Sequence, residues 1–143
     1  MKTQEINLFR EIQRSTEQAI TTLDTIAGKV FDDQLAMLVS RQSMKYSELR
    51  NEALDQLLTA RAEPYHGTQW EDIARKAGIH YNTLLNTSTS RIAELMINGS
   101  HQGIVKMRRA LNHNEDARGK AVTLAKELID VEMKNVEQLT QYL

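Results

Sequence analysis

From Ile6 onward, apolar residues return every three or four positions: Phe9, Ile12, Ala19, Ile20, Leu23, Ile26, Ala27 and Val30. That spacing puts them on one face of a helix. Asp32 and Asp33 follow as a turn and the N-cap of a second helix. Its stripe is Leu35, Leu38, Val39, Leu49, Ala53, Leu54 and Leu57, and it ends near Ala62. The only proline, Pro64, and Gly67 mark "AEPYHGTQW" as a loop. A short amphipathic piece around Trp70, Ile73 and Ala74 then closes at Gly78, a C-cap. A third long helix is expected from about His80 to Ile97, with Tyr81, Leu84, Leu85, Ile92, Leu95 and Met96 inward. "NGS" at 98–100 reads as a break, with Ser100 capping a shorter helix through Ile104, Val105 and Leu111. "NHNED" is the next turn, and the last helix runs from about Asp116 to Tyr142. No stretch alternates as a strand would. Two long helices joined tightly, a connection of about seventeen residues and then further helices predict an all-α bundle with one long crossover.

Composition narrows this picture. A chain of 143 residues suits one domain, 1–143, and a helical bundle of that size buries a continuous core. Aromatics are only 5%, so the core must be aliphatic. The absence of cysteine excludes disulfides, thiolate catalysis and zinc-thiolate sites. A net charge of −1 gives no global attraction to nucleic acid or to an anionic membrane. No apolar run reaches the ~18 residues of a membrane span, and "MKTQEINLFREIQ" is no signal peptide. The expectation is a soluble, cytoplasmic protein.

Some positions on the inner stripes are polar. Gln42 falls between Leu38 and Leu49, Ser88 between Leu84 and Ile92, and Glu132 between Leu128 and Leu139. With a helix rise of ~1.5 Å per residue, the crossover arrangement sets Gln42, Ser88, Arg91 and Glu132 at one level. They are expected to form a buried polar layer in which Arg91 neutralises Glu132, since an unpaired buried charge is costly. Such a layer can fix register without doing chemistry.

Other chemistry is thinly represented. His66, His80, His101 and His113 are never three or four residues apart, so no helix offers a paired imidazole site. There is no Gly-x-Ser-x-Gly elbow, and "HQGIVKMRR" lacks the spacing of a phosphate-cradling loop. Nothing here argues for an enzyme, and no cofactor is implied. "WEDIARKAGIHYNTLL", at about 70–86, resembles a helix-turn-helix, with Ala74, Gly78 and Ile79 at the turn. It would read DNA through His80, Tyr81, Asn82 and Asn86, but the helix that follows is apolar enough to belong to the core. Nucleic acid is therefore not the expected partner. Lys106, Arg108 and Arg109 form the one basic cluster, a solvated face or a surface for an anion or partner.

The order and lengths of the helices resemble the ferritin-like superfamily. The segments that carry the resemblance are "RQSMKYSELRNEALDQL" on helix two and "AKELIDVEMKNVEQLTQYL" on the last helix. It implies a four-helix bundle with a long crossover and an extra short helix. In that family, two irons are held by a Glu from each of two helices and a Glu-x-x-His from each of the others. Residue by residue, Glu132 matches but Asn135 stands in the histidine position. On helix two the pair falls on Gln42 and Lys45, or on Tyr46 and Leu49, and helix one offers Glu17, at the flank of the stripe defined by Ile12, Thr16, Ala19 and Leu23. If any metal is bound, Glu132 and Glu17 are its ligands; none is expected. "LLNTSTSRIAELMINGSHQGI" is also similar to a segment of small uncharacterised helical proteins of Firmicute-type bacteria, and no activity comes with it. The reading is a non-catalytic binding or structural protein with a degenerate metal site, expected to self-associate. A metal-binding ferritin-like protein and a DNA-binding regulator are the alternatives.

Overall fold

Helix α1 (Thr3–Ala27) contains no glycine or proline, and it stops at Gly28. Five residues later α2 (Asp33–Thr59) begins, its first turn held by Asp32, whose carboxylate accepts from the Leu35 amide at 2.9 Å. That bond satisfies one of the donors a helix start leaves open. α2 ends in a left-handed residue, Arg61 (φ 53), and the Ala62 amide returns to the Leu57 carbonyl at 2.9 Å. α3 (Thr89–His113) and α4 (Lys120–Leu139) complete the bundle, followed by a single 3-10 turn at Thr140–Tyr142. Gly119, at φ +71, makes the left-handed bend into α4 that other residues adopt only with strain. The computed structural model describes residues 1–66 and 88–143.

The pairs α1–α2 and α3–α4 pack most extensively; α1 also meets both α3 and α4, and α2 meets α4. Side-chain bonds set the directions. Gln4 on α1 accepts from the Asp116 amide just beyond α3, and Lys106 reaches Gln18. α1 and α3 are therefore antiparallel, so α2 and α3 run the same way. The end of α2 and the start of α3 therefore lie at opposite ends of the bundle, as the expected crossover requires. Its start lies against α1. The buried Gln13 both donates to the Tyr65 carbonyl (3.0 Å) and accepts from the Tyr65 amide (2.7 Å), while Arg10 holds the Glu63 carbonyl.

One core runs through all four helices, with Leu8, Phe9, Ile12, Leu35, Leu49, Leu57, Ile92, Met107, Leu124 and Leu128 almost wholly buried. Each such side chain contributes ~1.5–3 kcal/mol relative to exposure. The fold is all-α, as its periodicity predicts.

The third helix departs from expectation. Its described part begins with Ser88 as N-cap, the Ser88 hydroxyl accepting from the Arg91 amide at 3.2 Å, and runs unbroken through Asn98, Gly99 and Ser100. Local propensity favours a break there, at ~1 kcal/mol for a glycine. Burial of Ile92, Ala93 and Met96 before it, and of Met107 and Ala110 after it, outweighs that cost. Ser100 is consequently a mid-helix, buried residue and not a cap. The last helix starts at Lys120, four residues later than Asp116. The short piece around Trp70, the helix-turn-helix at 70–86 and the stretch 80–87 lie outside the described residues.

Candidate functional site

Glu132 projects from α4 into the core between Leu128 and Leu139 and is 5% exposed. Its Oε1 accepts hydrogen bonds from Tyr46 Oη on α2 and from Ser100 Oγ on α3, the latter at 3.2 Å. Asn135 Nδ2, one turn further along α4, donates to Tyr46 Oη at 3.0 Å. Three helices thus meet in one polar network, and every partner in it is neutral. The space for it comes from Gly103 on α3, because a Cβ there would overlap Glu132 Oε2.

Burial pushes the Glu132 carboxyl up to about 7, against the pull of hydrogen bonds from Tyr46, Ser100 and Asn135. The same burial, reinforced by the Glu132 charge, pushes Tyr46 well above its usual value, so the phenol stays a donor. Outside the network, Lys45 on α2 joins Glu127 on α4 at 3.3 Å, which aligns the two helices at this level. Gln42, one turn before Tyr46, is also buried, and its Nε2 has no hydrogen-bond partner among the described residues. An unsatisfied buried donor of this kind costs ~1–3 kcal/mol.

Glu132, Tyr46, Ser100 and Gln42 border a cavity of about 210 Å³ that opens between α1 and α3. Small residues create it: Ser15 and Ala19 on α1 face Gly99 and Gly103 on α3. A second, wider groove of about 640 Å³ lies nearer the far end of α3. Arg10 and Arg14 of α1 face Lys106, Arg109 and His113 of α3 across it, with Glu11 the acidic residue among them.

Of the four residues expected in the polar layer, the structure brings Gln42 and Glu132 to one cavity and separates the other two. Ser88 is exposed at the start of α3. Arg91 is half exposed and pairs with Glu94 at 3.0 Å. The expected Arg91–Glu132 pair is corrected on these positions. Its error was one of height: a helix started at His80 lifts Ser88 and Arg91 to mid-bundle, whereas Ser100 and Gly103 hold that level. Glu17 is half-buried on α1 and accepts from Gln13 at 3.1 Å. Among the described residues no three His, Cys, Asp or Glu side chains come together as metal ligands would. Lys106 and Arg109 share the basic groove, while Arg108 does not line it. The stripe pattern does not single out Tyr46, Ser100 or Asn135, although Tyr46 and Asn135 each lie one turn from a polar stripe residue, Gln42 and Glu132.

Fold and site together define an all-α four-helix bundle with a buried, neutral-partnered carboxylate. No protein-family model matches the chain, and no curated protein matches it significantly. Among solved structures it is similar to a DUF305 fragment from Deinococcus radiodurans, with a TM-score of 0.74 at 16% identity. The match covers 98% of this chain and 95% of that one. At that identity the likeness establishes the four-helix fold alone. Among the described residues, no helix is long and apolar enough to cross a membrane.

Proposed function

We propose that the chain is a non-catalytic binding protein, a divergent ferritin-like bundle whose metal position has become a small-molecule pocket. The observation that carries this is Glu132: a buried carboxylate with only neutral partners, opening onto a cavity of about 210 Å³. A carboxylate kept only for packing would be cheaper as leucine or methionine. The pairing of Glu132 with Asn135, where a metal site would carry histidine, supports binding without iron. Ligand-observed NMR against a library of small polar fragments tests this reading. Binders are expected, and Ala19→Leu, which fills the cavity, should abolish their signals. Iron or manganese near two per chain in untagged protein purified without chelator would refute it.

A second reading is favoured by the basic groove, where two helices place Arg10, Arg14, Lys106, Arg109 and His113 together. An anionic partner docked there should bind in a salt-dependent way and be weakened by Arg109→Glu. Self-association belongs to the proposal too. Phe31, Met37 and Met44, all well exposed, are among the apolar side chains available for it, and the mass in solution decides.

A further inference from the structure

The geometry points to a small organic ammonium compound that also carries a hydrogen-bond acceptor as the occupant of the Glu132 cavity, the class of amino alcohols and amino acids. This rests on the binding reading above. Two buried groups on the cavity wall each want a different partner. Glu132 is anionic when ionised, and Tyr46 and Ser100 supply it with hydrogen bonds but no compensating charge. Gln42 Nε2 is a donor with no acceptor among the described residues. An ammonium satisfies the first and a hydroxyl or carbonyl oxygen the second.

Size agrees. A cavity of ~150 Å³ lined by apolar residues holds benzene, and this one measures about 210 Å³, enough for a compound of that size. A metal ion is a poorer fit, since a hard cation asks for several oxygen ligands and Glu132 is the only carboxylate among the described lining residues. Gly103 makes room for the Glu132 carboxylate itself, and the open space beside Gly99 and the small Ala19 side chain leave room for the ligand in front of it.

The titratable groups that face Glu132 from the surrounding elements are Tyr46 on α2 and, at the mouth, Lys106 on α3, whose Nζ lies 3.3 Å from Gln18 Oε1. The described lining residues of α1 carry no charge. Tyr46, pushed well above its usual value, keeps its proton over pH 6 to 8, while Glu132, raised to about 7, changes state there. An ammonium ligand stays protonated throughout and needs Glu132 ionised. With the carboxyl at about 7, affinity should rise about tenfold from pH 6 to pH 8.

Isothermal titration calorimetry of the full chain tests this with four probes: ethanolamine, ethylamine, acetamide and manganese(II). Ethanolamine is expected to bind best, with the tenfold pH dependence. Ethylamine, which lacks the acceptor, should bind at least fivefold more weakly. Glu132→Gln should lose ethanolamine binding tenfold or more together with its pH dependence, while circular dichroism shows an intact helical fold. Gln42→Leu should reduce ethanolamine to the level of ethylamine. If acetamide binds and the amines do not, the ammonium inference falls and the binding pocket survives. Saturable manganese binding lost in Glu132→Gln would replace the amine by a metal. If none of the probes binds and the fragment library is also silent, both the inference and the binding reading are overturned.

Discussion

Replacing Glu132 by glutamine should stabilise this protein at neutral and alkaline pH. Folding moves the carboxyl from 4.5 to about 7. Between those values the folded chain holds a proton that the unfolded chain has released. Stability therefore falls as pH rises through this window and levels off above it. The shift, at 1.36 kcal/mol per pKa unit, corresponds to about 3 kcal/mol, a large fraction of the ~5–15 kcal/mol that holds a typical domain together. Glutamine keeps an oxygen to accept from Tyr46 and Ser100 and carries no charge to desolvate. Urea unfolding of both proteins, followed by circular dichroism from pH 4.5 to pH 8, measures the effect. The two curves should run close together at pH 4.5 and separate by about 3 kcal/mol at pH 8, the variant being the more stable. Taking the difference removes every other titrating group. Parallel curves would show that Glu132 is not held in a raised state. A wild-type chain that gains on the variant as pH rises would mean a cationic partner for Glu132, and the neutral network described above would be wrong.

Further outcomes follow from the same geometry. Tyr46→Phe removes the donor to Glu132 and strands Asn135 Nδ2; a loss of ~1–3 kcal/mol is expected, larger at pH 8 than at pH 5 because the lost bond serves the ionised carboxylate. Gly99→Ala meets nothing within 4 Å and should gain up to ~1 kcal/mol of helix propensity. Gly103→Ala has the same propensity gain but drives a methyl into Glu132 Oε2, so in thermal unfolding it should fall below the Gly99 variant. Arg61→Gly should raise stability by ~0.5–1 kcal/mol, since residue 61 holds a left-handed conformation that costs arginine and not glycine; an unchanged unfolding midpoint would count against strain at that helix end.

Periodicity alone was enough for α1, α2 and most of the core. The three- and four-residue recurrence from Phe9 to Ile26, and again from Leu35 to Leu57, reports which face of a helix turns inward, because burial of apolar area is what holds an amphipathic helix in place. The capping of α2 by Asp32 was legible for a similar reason: the interaction is local, between a side chain and an amide three residues away. Height along the bundle was not legible. Whether Arg91 or Ser100 stands beside Glu132 depends on where α3 begins and on whether "NGS" interrupts it, and both were decided by packing. Local propensity argues for a break worth ~1 kcal/mol, while the apolar residues on either side are worth more when the helix continues. The network of Tyr46, Ser100, Glu132 and Asn135 spans contacts between residues 32 to 89 positions apart. Glycine at 103 carries no sign of its role until α4 is laid against it. The sequence determined by itself that Glu132 faces inward; only the tertiary structure decided that neutral hydroxyls and a cavity, and not an arginine, meet it there.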